Sequence, residues 1–235
     1  MNDPGHGLLV DCLRWKAGEA SEIEDLVSRE ERIVVRLEGR GESRLWAHPV
    51  DLDRLAVGHA KLTWCVEGER PELVGREAGR WTFRCAAHRL PEPRHLRQMS
   101  AGEISESMRA FIGSKGLWDG TGCFHRAGAY DQVRCEFPFV AEDIGRHNCL
   151  DRLAGWAVEN GIDLSGMVLF VSARLTASLM AKALICGFRF CVSRSAVTTA
   201  ALDLARTAGA TLVGFARTED ARFTLFNDPD ARVRL

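Results

Sequence analysis

One pattern in the C-terminal part of the chain constrains the fold more than any other feature. Val168-Leu169-Phe170-Val171, Phe190-Cys191-Val192 and Leu212-Val213-Gly214-Phe215 are short runs with almost no polar residue. Runs of this length read as strands buried on both faces. Between them lie helix-period segments: Thr176 to Ile185, then Val197, Ala200, Ala201, Leu204, Ala205 and Ala208 on one stripe. Strands alternating with helices of this length predict an α/β fold with a largely parallel sheet and right-handed crossovers. Ala210 to Ala216 closes the series, with Phe223 to Phe226 as a hairpin partner. In such a sheet ligands bind beyond the carboxyl ends of the strands. Ser172 and Arg174 follow the first run, Ser193, Arg194 and Ser195 the second, and Arg217 the third. Arginine at corresponding places suggests an anionic ligand such as a phosphate chain. For Arg194 alone a surface salt bridge is the simpler explanation.

A fourth strand end is expected at Ala141 to Arg152, which reads Ala-Glu-Asp-Ile-Gly-Arg-His-Asn-Cys-Leu-Asp-Arg. The apolar run Phe137-Pro138-Phe139-Val140 precedes it as a strand edge. Leu150, Leu153, Ala154, Ala157 and Val158 then mark the buried face of a helix. Glu142 to Asn148 is therefore a strand-to-helix turn, with Gly145 expected in a backbone angle other residues resist. Such a turn directs N–H groups at anions. Arg146 adds a cationic fork, and His147 a group titrating near neutral pH. A capped helix start with solvated charges accounts for the same residues.

Upstream, Arg32 to Gly39 and Ser43 to His48 read as a hairpin. Asp51 is a plausible cap for a helix through about Ala60, with Leu52, Leu55 and Ala56 on one side. Lys61 to Glu67, Glu72 to Arg76 and Arg80 to Ala86 read as strands. Met1 to Gly18 is a loose arm or an added strand. Arg89 to His95, with two prolines, is the expected linker. A helix beginning at Ser105 and the strands Arg126 to Asp131 and Val133 to Val140 follow. The expected division is 1–95 as a smaller α+β part and 96–235 as an α/β cofactor-binding domain.

With 31 basic and 32 acidic residues the net charge is −1, so nothing favours nucleic acid or a membrane surface, and any anion site must be local. No apolar run approaches the ~18 residues of a membrane helix. Met1-Asn2-Asp3-Pro4-Gly5 does not open a signal peptide, so a cytoplasmic location is expected. The eight cysteines include no Cys-x-x-Cys pair, which argues against structural zinc. Cys149, Cys186 and Cys191 lie in apolar periodic segments and read as packed. Cys123 stands two residues before His125 in a Thr-Gly-x-x-His turn, the minimum arrangement for a reactive thiol. A turn histidine bonding its own loop is the alternative.

Glu142 to Arg152 resembles the central motif of the formate dehydrogenase accessory protein family (FdhD), with Ile144 and Cys149 where Val and Ala are usual. Thr121-Gly122-Cys123-Phe124-His125-Arg126-Ala127 resembles the family's Thr-Gly-Gly-x-His-x-Ala, and Val171-Ser172-Ala173-Arg174 its Val-Ser-Gly-Arg. Leu212 to Arg217 resembles its C-terminal block. The resemblance implies a three-layer C-terminal domain like the cytidine deaminase fold. The His-x-Glu and Pro-Cys-x-x-Cys motifs of zinc deaminases are absent, so hydrolytic deamination is not expected. It further implies binding of a molybdenum bis(molybdopterin guanine dinucleotide) cofactor, with GDP as a mimic. The cofactor-binding residues would be His125, Arg146, His147, Arg174, Phe215, Ala216, Arg217, Thr218, Glu219 and Asp220. In the last three, relatives tend toward Gly and a basic residue, and two carboxylates here would repel a pyrophosphate.

The implied partners are a formate dehydrogenase catalytic subunit and a cysteine desulfurase, with a homodimer as the assembly to test. The implied activity is sulfur transfer to the cofactor, a sulfurtransferase reaction. Relatives carry a Cys-x-x-Cys loop between the halves, yet Arg94 to Gly102 contains no cysteine. Any sulfur chemistry is expected at Cys123 or Cys85. The alternatives are a cofactor-binding chaperone without sulfurtransferase activity and an unrelated nucleotide-binding module.

Overall fold

The computed structural model describes residues 7–89 and 95–235. The linker expected at Arg89 to His95 falls mostly on residues 90–94, and the start of the expected arm on residues 1–6, both outside the described residues. Strands β1 (Gly7–Lys16) and β2 (Glu19–Ser28) pair as an antiparallel ribbon. The added-strand alternative is thus the one observed, and the ribbon leaves Leu13 and Trp15 exposed.

β3 (Glu31–Leu37) and β4 (Gly41–Ala47) form the expected hairpin. Helix α1 (Leu52–Trp64) follows, then β5 (Glu69–Glu77) and β6 (Arg80–Ala87). The sheet order is β4-β3-β6-β5, with β3 and β6 parallel. Ile33, Val35 and Leu37 from β3, Leu55, Ala56 and Ala60 from α1, and Trp81 and Phe83 from β6 close a core between helix and sheet. The strand expected from Lys61 is instead the last turn of α1. Leu-Thr-Trp-Cys-Val favours strand by composition, but Leu55, His59 and Leu62 are buried on one helical face and keep the helix going.

β7 (Met99–Ser100) leads into α2 (Ala101–Gly113). The helix starts earlier than its apolar stripe suggested because Ser100 and Glu103 make a capping box: each side chain accepts the other's backbone N–H, at 3.2 and 2.7 Å. After the short α3 (Trp118–Thr121) come β8 (His125–Asp131), β9 (Glu136–Asp143), α4 (Arg146–Asn160), β10 (Val168–Val171), α5 (Ala177–Ile185), β11 (Phe190–Ser193), α6 (Thr199–Thr207), β12 (Thr211–Gly214), β13 (Thr224–Asn227) and β14 (Val233–Arg234). The six-stranded sheet runs β13-β12-β11-β10-β8-β9.

The sheet is mixed rather than largely parallel. β10, β11 and β12 are parallel, whereas β8 runs against both β10 and β9, and β13 against β12. A short turn joins β8 to β9, and strands so joined must be antiparallel. β9 carries Pro138 at the sheet edge, where a missing donor costs no ladder bond. One face of the sheet is covered by α4, α5 and α6 through Leu150, Leu153, Leu179, Met180, Ala201 and Ala205. The other is covered by α2 and the β7–β14 pair, through Ile104, Met108, Phe111, Met99 and Val233. That makes three layers. No helix of the described residues is long and apolar enough to cross a membrane.

The N-terminal sheet joins this body where α1 crosses α4, and two glycines set the closeness. A Cβ on Gly58 would lie 1.7 Å from the Asp151 carbonyl oxygen, and one on Gly155 would lie 2.0 Å from that of Arg54. Only two bare backbones can approach so closely.

Candidate functional site: a basic edge at the head of three helices

The charged motif of Ala141 to Arg152 divides by helical geometry into an inward and an outward set. Asp143, Asn148, Asp151 and Arg152 are buried. Arg152 pairs with Asp143 at 2.7 Å and donates to the carbonyls of His48 at 2.8 Å and Val50, and so clamps the N-terminal part. Asn148 donates to the Trp46 carbonyl at 2.8 Å and to Asp143 at 2.9 Å. Asp151 accepts from Lys182 at 2.6 Å and lies 3.4 Å from His59 Nδ1. Glu142 holds the buried Arg126 at 2.6 Å. These groups hold the architecture together.

The outward set is Arg146 and His147. Gly145 precedes them with φ −89° and ψ 115°, an ordinary extended conformation and not the unusual angle expected from sequence. Space is the constraint here: a Cβ would come 2.9 Å from the Asn148 amide, which is pinned on both sides.

The strand ends assemble around them. β8 runs antiparallel to β10, so His125 at its start lies at the same sheet edge as the carboxyl ends of β10, β11 and β12. The loops there are zipped together. Arg194 N–H donates to Val171, Leu175 N–H to Ala196, and Phe215 N–H to Ser195. Ser193 Oγ donates to the Ala173 carbonyl at 2.9 Å. α4, α5 and α6 all begin at this edge, and none has an acidic residue in its first turn. The partial positive charge of each N-terminus is therefore unneutralised.

Arg146, Arg174 and Arg217 lie on this edge, spread across strands about 4.8 Å apart. Among the described residues none of them pairs with a carboxylate, and Arg146 Nε is buried without a hydrogen-bond partner. Arg194 differs: it pairs with Glu219 at 3.0 Å, the salt bridge expected for it. Burial, followed by the charges of Arg146 and Arg174, holds the His125 pKa below the usual histidine range. Burial, then Lys182 and Arg146, does the same for His147. His147 Nε2 lies 3.1 Å from Ser178 Oγ, which ties the head of α4 to that of α5. Ser178 and Lys182 belong to this environment and were not singled out from sequence; Thr176-x-Ser178 at a helix start was the available signal.

The remaining candidates sort as follows. Phe215 is exposed in a left-handed conformation, φ 52°, at the end of β12, while Ala216 is buried. In Thr218-Glu219-Asp220 both carboxylates are matched by arginines, Glu219 by Arg194 and Asp220 by Arg222 at 3.0 Å, which removes much of the expected repulsion. Cys123 is exposed in the loop before β8, and its thiol makes no hydrogen bond to His125 among the described residues. Cys85 is in β6, in the other sheet, so the two candidate thiols are not brought together. Cys149 and Cys191 are buried as expected, and Cys186 is half-buried.

The family model described as the FdhD/NarQ family matches residues 70–233. The chain is 36% identical over 135 residues to the sulfur carrier protein FdhD of Nocardia farcinica and 40% identical over 122 residues to that of Wolinella succinogenes. These matches cover 57% and 52% of this chain, and the chain spans only 48% and 42% of those relatives' own length. Against the sulfur carrier protein FdhD of Bordetella petrii the identity is 30%, over 96% of this chain and 95% of that protein. A crystal structure described as a formate dehydrogenase accessory protein from Desulfotalea psychrophila superposes with a TM-score of 0.81 at 24% identity, covering 97% of this chain and 100% of that one, a likeness of fold. With the family model spanning most of its length, the chain belongs to the FdhD/NarQ family.

Proposed function

We propose that this chain is an accessory protein for a molybdenum-dependent formate dehydrogenase, and that its basic edge binds the phosphates of molybdopterin guanine dinucleotide as cargo. The observation that carries the reading is the coincidence of three acid-free helix N-termini with Arg146, Arg174 and Arg217, where the buried Arg146 Nε has no partner of its own. Phosphate oxygens would take hydrogen bonds from the arginines and from the first N–H groups of α4, α5 and α6. His125 and His147, whose pKa values burial and then their cationic neighbours lower, would serve as donors at phosphate or ribose. Phe215 offers an exposed aromatic face for the guanine, beside Thr218 to Asp220. The three-layer arrangement supports the reading of a deaminase-like fold without its zinc motifs. A cytoplasmic location, a cysteine desulfurase partner and a homodimer belong to the same proposal.

Relatives named as sulfur carriers support a second half to this function, with Cys85 or Cys123 as the carrier thiol. The reading as a cofactor-binding chaperone without sulfur transfer is favoured by one observation, the lack of any cysteine between Arg94 and Gly102.

Titration calorimetry with GDP tests the cofactor site. Wild type should bind GDP, and Arg174→Ala should lose a charge-assisted bond of ~1.5–3 kcal/mol, tenfold or more in affinity. No GDP binding by wild type would sink both readings. Equal affinity for ADP would point to a generic nucleotide-binding module.

A further inference from the structure

Far from the basic edge, two thiols separated by twenty residues in sequence meet with their sulfurs 3.4 Å apart. Cys65 caps the C-terminus of α1, and Cys85 lies opposite Pro71 near the end of β6. β3 stops pairing with β6 at Leu37 and Phe83, so Cys85 sits past its neighbour, at the open end of the sheet. Both thiols are free and half-buried. Arg40 organises the surroundings. Its guanidinium donates to the Trp64 carbonyl at 2.6 Å and to both oxygens of Glu69 at 2.7 Å.

Glu69 and the two sulfurs lie within 4.8 Å of one another, close enough for three metal ligands. Arg40, however, already occupies both carboxylate oxygens, and a metal ion would have to displace a guanidinium. Soft sulfur chemistry fits the cluster better than a cation. Beside the pair lies a cleft of about 420 Å³ that Cys65 lines and Cys85, itself half-buried, does not; Lys61, Arg70, His88 and Arg189 stand on its wall with Glu67 and Asp163. The cationic side of that wall suits a small thiol compound bearing carboxylates.

We propose that Cys85 accepts sulfane sulfur from a low-molecular-weight persulfide and that Cys65 then expels it as hydrogen sulfide while the pair closes to a disulfide. This deepens the sulfur-carrier half of the proposed function by naming the acceptor and the resolving thiol. In the first step the Cys85 thiolate attacks the terminal sulfur of R–S–SH, the S–S bond breaks, and R–S⁻ leaves and takes up a proton. In the second step Cys65 attacks Cys85 Sγ, the persulfide bond breaks, and HS⁻ departs with the Cys65 proton. The two cysteine sulfurs are oxidised and the sulfane sulfur is reduced to sulfide, so the release step needs no outside oxidant. A dithiol reductant reopens the pair. Burial, with the hydrogen bond to Cys85, pushes the Cys65 thiol up to about 12, which leaves it protonated as an S–H donor. Cys85 Sγ also stands within 4.8 Å of the Glu69 carboxylate, whose charge Arg40 balances. Closing from 3.4 Å to the ~2.05 Å of a disulfide asks for a shift of ~1.4 Å, within reach of side-chain rotation.

The test treats the reduced full chain with glutathione persulfide, measures sulfide release and maps the modified cysteines by mass spectrometry. Wild type should release one equivalent of sulfide and gain a Cys65–Cys85 disulfide. Cys65→Ser, and equally Cys65→Ala, should hold the extra sulfur on Cys85 and release none; Cys85→Ser should do neither. Melting curves matching wild type establish that the variants fold. Sulfide release unchanged in the variants, sulfur trapped on Cys65, or stoichiometric zinc shielding both thiols from alkylation would overturn the proposal. Label confined to Cys123 would overturn it while leaving the sulfur-carrier reading standing. A chain that fails to bind GDP but still forms the disulfide would lose its cofactor site and keep its thiol pair.

Discussion

The two ends of α4 present opposite surfaces. Its N-terminus opens onto a basic edge where, among the described residues, Arg146, Arg174 and Arg217 have no carboxylate partner; its C-terminus borders the cleft that Cys65 shares with Lys61 and Arg189. The 15 residues between them span about 22 Å. At the first end, charge is displayed on a framework of buried ion pairs. At the second, the arginine nearest the thiols, Arg40, is already committed to Glu69. The difference separates recognition of an anion from chemistry at sulfur. If both belong to one function, a cargo held at one end cannot touch Cys85 directly, and sulfur must be handed over by movement or by a partner.

The largest expected effect comes from breaking the middle of α4. Arg152→Ala leaves Asp143 as an unpaired buried carboxylate and frees the carbonyls of His48 and Val50. The loss should be ~3–5 kcal/mol in urea unfolding, with both surfaces failing together. Arg146→Ala, six residues earlier, should change stability by only ~0.5 kcal/mol or less, since among the described residues the side chain has no ion pair to lose, yet it should weaken GDP binding. Equal destabilisation by the two variants would mean that the inward and outward sets are not distinct.

A smaller effect concerns pH. His125 and His147 both titrate below the ordinary histidine value of 6.5, so below that pH the unfolded chain binds more protons than the folded one. Stability should therefore fall as pH drops from 7 toward 5.5, by a fraction of ~1 kcal/mol after solvent screening. Arg146→Ala should flatten the decline, because that cation depresses both imidazoles. Sulfate, whose charge does not change in this range, should do the same by occupying the edge. A decline indifferent to both would show that the histidines do not sense this site.

The alternation of strand and helix after Met167 was legible because buried strands and amphipathic helices have different periods, and the hairpin partner β13 followed from the same reasoning. The polarity of β8 and β9 was misjudged because periodicity carries no direction; only the short turn between them did. Arg146, His147 and Arg174 could be nominated because each follows an apolar run. Nothing in the sequence distinguished Arg152 from Arg146, one buried in an ion pair and the other displayed, since that depends on which face α1 covers. The meeting of Cys65 and Cys85 was invisible for the same reason. Their spacing matches no motif, and it took the extension of α1 to Trp64 to bring the first thiol over β6.

The central claim is that the head of α4, and not the cleft at its tail, receives the nucleotide. Hydrogen–deuterium exchange with and without GDP tests it directly. Protection should appear at the starts of α4, α5 and α6 and in the loop after β12, with the cleft around Cys65, Gly161 and Arg189 unchanged. Protection confined to the cleft would contradict the account.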